Sequence, residues 1–202
     1  MTVSLEDVHR AARRIDDADG IRQTPTERST SLGERIGADV VLKLEHFQKT
    51  GSFKPRGAYN KVVQVADSGD ASRVVAASAG NHAQGVAYAA TERGLDSLIV
   101  MPETAPQAKI DATRGYGATV ELHGETFAEA MAVAQGIADD PETAFVHAYD
   151  DPAVIAGQGT LGLEILDQVP DVDTVVVPIG GGGLISGIAT AMTAADHDVR
   201  VV

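Results

Sequence analysis

The sequence predicts an α/β fold built on open parallel sheet. Three observations predict it. From about residue 73 onward, short apolar runs alternate with segments of helical period. The joins carry helix-capping chemistry. A glycine-rich turn leads from a strand directly into a helix at residues 180–183. Strict alternation of strand and helix needs long crossovers, and parallel strands are what long crossovers connect.

The elements follow in order. Residues 5–15 place Leu5, Val8, Ala12 and Ile15 on one helical face. Thr24-Pro25-Thr26 interrupts that pattern. After a stretch punctuated by Ser and Gly, Val40-Val41-Leu42-Lys43-Leu44 reads as a strand. A loop containing Gln48-Lys49-Thr50-Gly51 leads into a helix that starts around Lys54 and ends near Ser68-Gly69. Strands then read at 73–77, 96–101, 118–122, 144–147, 174–178 and 199–202. Helices lie between them at about 82–93, 106–114, 126–138, 152–168 and 183–195. Asn81 is placed to cap one helix and Gly94 to end it. Thr126 with Glu129 makes a capping-box pattern, and Asp151-Pro152 sets a cap before a proline at the first helical position. The segment Val199-Arg200-Val201-Val202 reads as a strand just begun, so the expectation is a C-terminally truncated chain.

Composition narrows the function classes. A chain of 202 residues makes one large domain or two small ones and can bury a sizeable core. It has no cysteine, hence no disulfide and no thiolate chemistry, and an intracellular protein is the simple reading. No apolar run approaches membrane-spanning length. Residues 1–7 lack the basic and apolar regions of a signal peptide. The net charge of -13 disfavours nucleic acid and anionic membrane as partners. It fits a salt-rich cytoplasm or an ordinary acidic enzyme. The lysines are Lys43, Lys49, Lys54, Lys61 and Lys109 alone. An anion site in such a chain must come chiefly from backbone N–H groups.

The chemistry centres on Gly51-Ser52-Phe53-Lys54-Pro55-Arg56-Gly57. The helix that follows carries Ala58, Val62 and Ala66 on one stripe, with Tyr59 and Val63 beside it. Proline favours the first helical position, which puts Lys54 at the N-cap, where Ser, Thr, Asp or Asn usually stands. A positive charge there opposes the helix dipole. The amine is more useful neutral, as a nucleophile that forms an imine with a carbonyl. The dipole supplies only about 0.3–1 kcal/mol, under one pKa unit, so burial or covalent capture must supply the rest. A solvated lysine at a turn fits the same residues.

Two backbone sites accompany it. Strand residues 174–177 run into Pro178-Ile179-Gly180-Gly181-Gly182-Gly183-Leu184 and then a helix. Glycine N–H groups plus a helix N-terminus make a phosphate cradle without a basic side chain. A Walker loop would continue with Gly-Lys-Ser/Thr, and G-x-G-x-x-G would need a third glycine where Ile185 or Ser186 stands. A tight strand–helix turn is the plain alternative, but four consecutive glycines exceed what a turn needs. The second site is Ala77-Ser78-Ala79-Gly80-Asn81-His82, small residues at a helix start that suit a carboxylate. Asn81 can equally be a helix cap only, and His82 a first-turn residue without chemistry. His9, His46, His123, His147 and His197 show no metal-ligand spacing. His147 closes a strand at the sheet edge where ligands bind, and also suits a residue that only shapes the cleft. A phosphate cradle, a carboxylate nest and an imine-forming lysine together fit pyridoxal 5'-phosphate acting on an amino acid.

At this point the sequence resembles a known family. Lys49-Thr50-Gly51-Ser52-Phe53-Lys54 with Arg56-Gly57-Ala58, then residues 77–86, then Ala156-Gly157-Gln158-Gly159-Thr160, then Gly180 to Leu184 are similar to the motifs of threonine dehydratases (threonine ammonia-lyases). These belong to the tryptophan-synthase-β-like, fold type II group of pyridoxal enzymes. The resemblance covers nearly the whole chain, in order. It implies two α/β domains with the cofactor in the cleft between them: residues 1–69 and 151–202 in a large domain, incomplete here, and 70–150 in a small one. It implies that Lys54 carries the cofactor as a Schiff base and acts as the catalytic base. By the same resemblance Phe53 packs near the cofactor ring and Asn81 bonds its 3-hydroxyl. Gly180, Gly181, Gly182, Gly183 and Leu184 hold its phosphate, and Ser78, Ala79, Gly80, Asn81 and His82 receive the substrate carboxylate. Metal ligands of some relatives fall beyond residue 202, so no metal site is expected within this chain.

The implied reaction is β-elimination, from L-threonine to 2-oxobutanoate and ammonia, or from serine to pyruvate. The implied setting is a cytoplasmic homo-oligomer in amino-acid metabolism, with isoleucine biosynthesis as one role. Serine racemases of the group carry a serine where this chain has Ala79, which favours elimination over racemisation. Cysteine and threonine synthases usually have Asp where Pro55 stands. Two rivals lie outside the family. A nicotinamide oxidoreductase needs an acidic residue about 20 positions past the glycines, and Arg200 occupies that strand. A non-catalytic amino-acid-binding module is the other.

Overall fold

The computed structural model describes residues 2–194 and 199–202. Ala195, where a helix end was expected, and His197 lie outside the described residues. Helix α1 (Leu5–Asp16) opens on a reciprocal cap that sequence reading missed. The Ser4 hydroxyl accepts from the Asp7 N–H while the Asp7 carboxylate accepts from the Ser4 N–H. Its buried stripe is Val8, Ala11 and Ile15, so Ala11 takes the place expected of Ala12. Strand β1 (Thr26–Arg28) pairs antiparallel with β2 (Val41–Lys43) across helix α2 (Thr30–Ile36). Strands of three residues are too short to show a period, so β1 left no signal. Two 3-10 turns, Glu45–Phe47 and Lys49–Gly51, lead into α3 (Lys54–Ser68), which ends at left-handed Gly69.

The central sheet is parallel. It contains β3 (Arg73–Ala77), β4 (Asp96–Met101), β5 (Thr119–Leu122) and β6 (Thr143–Phe145), in the order β5-β4-β3-β6. Helices α4 (Asn81–Arg93), α5 (Gln107–Gly115) and α6 (Phe127–Ile137) make the crossovers. Strand alternation sorts the side chains onto two faces. Val74, Ala76, Ile99 and Met101 join Val86, Ala87 and Ile110 of α4 and α5 in one core cluster. Val75, Ala77, Leu98 and Val100 join Ala130 and Ala134 of α6 in another. The chain steps outward from β3 to β4 and β5, then returns to set β6 on the other side of β3. The strand order therefore reverses between β3 and β6, and ligands bind at the carboxyl ends of strands at such a point.

Helix α7 (Pro152–Gln168) starts as expected. The Asp151 carboxylate caps the N–H groups of Ala153 and Val154, with Pro152 at the first position. Its partner is α8 (Gly183–Ala194), beside the short parallel pair β7 (Thr174–Val175) and β8 (Arg200–Val201). The strand expected over 174–178 thus stops at Val175. Among the described residues it is paired on one side only, and Pro178 has no N–H to extend the ladder. No helix is long and apolar enough to cross a membrane among the described residues.

Candidate active site

The crevice at the β3–β6 reversal is lined by the segment after β3, residues 78–82, and the segment after β6, residues 146–149. His82 spans it: its Nε2 lies 3.0 Å from the Val146 carbonyl, which can only accept, so Nε2 carries the proton. Lys54 enters from α3, and its Nζ donates to the Ala148 carbonyl at 2.8 Å. Close packing of α3 on α4 brings it there. A Cβ on Gly85 would stand 3.2 Å from the Lys54 carbonyl carbon and the Pro55 nitrogen.

Lys54 is the first residue of α3, and Phe53 is its N-cap. The expected N-cap assignment is therefore corrected by one position, with Pro55 at the second helical position. Burial, more than the dipole, holds the Lys54 amine below the ordinary lysine range. The Phe53 ring centroid lies 5.3 Å from Nζ. The start of α3 is anchored tightly. The Gly57 N–H donates to Gln158 Oε1 at 3.2 Å, and a Cβ on Gly157 would sit 2.6 Å from Gly57 Cα. Arg56, 1% exposed, forks onto Glu45 and Glu164, and Lys43 also pairs with Glu164. In the sequence Arg56 stands within the motif around Lys54 with no role of its own to read. Its role emerges only when α7 is packed on α3.

In the nest, Gly80 is the N-cap of α4 and no side chain caps it, so the expectation of Asn81 as cap is corrected. Asn81 is instead the first helical residue, with an exposed side chain whose Oδ1 lies 3.4 Å from Lys109 Nζ. The Ser78 hydroxyl accepts from the Gly80 N–H at 3.1 Å. Ser78, Ala79 and Gly80 are half-buried. His82 is 3% exposed, and burial, with the nearby Lys54 amine adding to it, pushes its imidazole down to about 4. It is neutral at physiological pH. Its Nδ1 is buried without a partner. His147 accepts from the N–H groups of Tyr149 and Asp150, so it shapes the turn after β6.

The glycine loop packs against that same turn. A Cβ on Gly181 would overlap the Tyr149 ring, and one on Gly183 would stand 2.7 Å from the Tyr149 carbonyl oxygen. Gly182 sits at φ +86, where side chains are strained, and its carbonyl accepts from the Ser186 N–H to open α8. Gly180 faces open space and has no positive φ. Three of the four glycines are thus demanded by geometry. Leu184 is half-buried in the cluster between α7 and α8. Tyr149, which ties the loop to the Lys54 acceptor one residue before it, carried no sequence signal.

The family profile described as "Pyridoxal-phosphate dependent enzyme" matches residues 18–202. The chain belongs to the pyridoxal-phosphate-dependent enzymes. Among relatives in this family, it is 48% identical over 200 residues to the L-threonine ammonia-lyase of Thermotoga maritima, covering 99% of this chain and 49% of that one. It is 50% identical over 201 residues to the catabolic L-threonine dehydratase TdcB of Staphylococcus aureus, covering 99% and 58%. The chain therefore spans about half the length of the curated relatives it matches. The processed form of threonine deaminase isoform 2 from Solanum lycopersicum superposes with a TM-score of 0.88 at 37% identity, covering 100% of this chain and 57% of that chain. Maize serine racemase superposes at 0.93 with 36% identity, covering 100% and 60%.

The residues present fit pyridoxal phosphate. A half-buried amine with a lowered pKa faces the crevice. The N–H groups of Gly180, Gly181 and Gly182 donate to no protein acceptor among the described residues, and space is open at Gly180 and Gly182. His82 Nδ1 is a buried acceptor awaiting a donor, an omission that costs about 1–3 kcal/mol if left unpaired. Among the described residues no cluster of three or more His, Asp or Glu could hold a metal.

Proposed function

We propose that this chain is the cofactor-bearing part of an ammonia-lyase that converts L-threonine, and L-serine, to the 2-oxo acid and ammonia. The observation that carries the reading is the Lys54 amine, its pKa lowered by burial, at the strand-order reversal, in a chain about half identical to two threonine ammonia-lyases. When bound, the cofactor supplies an electron sink for the carbon that bears the amino group. Lys54 carries it, and Gly180 to Leu184 bind its phosphate through backbone N–H groups. Phe53 flanks its ring and Asn81 bonds its hydroxyl. The segment Ser78 through His82, which leads into α4, takes the substrate carboxylate on the N–H groups of Ala79, Asn81 and His82, which have no protein acceptor among the described residues. This orients the α-hydrogen toward Lys54. Burial favours the deprotonated Lys54 amine, so Nζ accepts that proton as general base. The β-hydroxyl then leaves with a proton as water, and hydrolysis of the remaining enamine gives the 2-oxo acid and ammonia.

In this reading residues 70–150 form the small domain and the rest the large one, and the enzyme is a cytoplasmic homo-oligomer. The Staphylococcus aureus relative is named catabolic, and 2-oxobutanoate also suits isoleucine biosynthesis. Racemisation needs a second proton donor on the face opposite Lys54. Ala79 has no proton to give, which supports elimination despite the racemase-like fold. The test is a keto-acid assay with chiral chromatography of L-serine reactions. Wild-type enzyme forms 2-oxobutanoate from L-threonine and little D-serine, and Ala79→Ser raises D-serine formation. D-serine formation by wild type that rivals the keto acid rejects the assignment.

A further inference from the structure

Lys109 is distinguished by what it does not contact. In a chain of net charge -13, Lys43 and Lys61 each have a carboxylate partner, Glu164 and Asp151. Lys54 donates to a carbonyl in the crevice, and Lys49 lies 5.3 Å from the centre of the Tyr88 ring. Lys109 pairs with no carboxylate among the described residues, and its side-chain contact is Asn81 Oδ1. That contact is placed by the backbone. Pro106 precedes α5, the Lys109 N–H donates to the Pro106 carbonyl at 2.9 Å, and the Thr113 hydroxyl donates to the Lys109 carbonyl at 2.8 Å. Thr113 is fully buried and Ile110 is 3% exposed, so this turn of α5 is fixed against the sheet.

An ammonium has donors and no acceptor. Facing Lys109, the amide of Asn81 must therefore present its oxygen, which turns its NH2 away from α5. The geometry points to Lys109 as a positioning residue that fixes the amide orientation of Asn81, so that Asn81 donates to, and never accepts from, the ring hydroxyl oxygen of the cofactor. A free amide would sample both orientations, and the wrong one would set oxygen against oxygen. This inference rests on the proposed cofactor chemistry.

The test compares Lys109→Met, Lys109→Arg, Asn81→Ala and the double variant Lys109→Met/Asn81→Ala in the purified holoenzyme. The readouts are pyridoxal phosphate affinity by titration and the ratio of the visible absorbance bands of the bound cofactor. Lys109→Met weakens affinity about five-fold, the equivalent of one hydrogen bond, and alters the band ratio. Lys109→Arg, which keeps the charge and the donor, restores both. In the Asn81→Ala background Lys109→Met changes neither. Unchanged affinity and spectrum in Lys109→Met, with wild type binding cofactor normally, overturn the inference and leave the proposed function standing. So does a full Lys109→Met effect in the Asn81→Ala background. A wild-type protein that takes up no cofactor overturns both.

Discussion

Lys54 and His82 share one crevice and one physical cause. Burial disfavours the charged form of each, so both are held toward neutrality. For Lys54 the consequence is a better nucleophile at ordinary pH. Borohydride reduction of the cofactor-loaded protein, followed by peptide mapping, places the adduct on Lys54. A label on Lys49 or Lys61 rejects the assignment. Those two amines are engaged elsewhere, over the Tyr88 ring and with Asp151. Arg56 stands only two residues from Lys54 yet serves differently. Its guanidinium is held charged between Glu45 and Glu164, and the fork locks the first turn of α3 to α7. The chain thus places one cation to react and a near neighbour to hold it in register.

Elements matter here through the turns that join them. The turn after β6 is the meeting place: Val146 receives His82, Ala148 receives Lys54, and Tyr149 seats the glycine loop. The loop therefore answers to two demands, closeness to Tyr149 and open N–H groups. Gly181→Val meets the Tyr149 ring and must displace the loop, whereas Gly180→Ala meets nothing within 4 Å. Gly181→Val accordingly loses cofactor affinity by at least ten-fold, about 1.4 kcal/mol, while Gly180→Ala stays near wild type. Fluorescence titration with pyridoxal phosphate reads both. Equal affinity in wild type and Gly181→Val rules the loop out as the phosphate site. Helix α4 differs in kind from α6. A Thr126–Glu129 box caps α6, but α4 begins at Gly80 with no side-chain cap. Its first-turn N–H groups are left for a ligand.

For the whole molecule, the crevice carries a cost in acid. His82 has a folded pKa of about 4 against 6.5 for a free imidazole. Between those values the unfolded chain binds a proton that the folded one does not, so stability falls as pH drops from 6.5 toward 4. The His82 share of that loss is about 3 kcal/mol at most. Urea unfolding at pH 7 and pH 5 measures it. His82→Gln flattens the acid limb of the profile, and an unchanged slope in that variant shows that other groups carry it.

Much of this was legible along the chain because it is local. Caps, proline positions and short apolar runs act locally, so Asp151-Pro152, the Thr126–Glu129 box and the strands β3 and β4 could be read directly. The glycine run and the lysine before proline were legible for the same reason. Cap positions at Lys54 and Asn81 slipped by one residue, since a neighbour's packing decides which residue first becomes helical. Only the tertiary structure decided which strands adjoin, and hence that the order reverses between β3 and β6. That reversal brings residues 54, 82, 148 and 181 together from four separate segments. The Arg56–Glu164 pair, the seat of Gly181 at Tyr149 and the Lys109–Asn81 contact are pairings across 28 to 108 positions. No local pattern encodes such a pairing, because the partners come from separate segments that meet only once the helices and strands have packed.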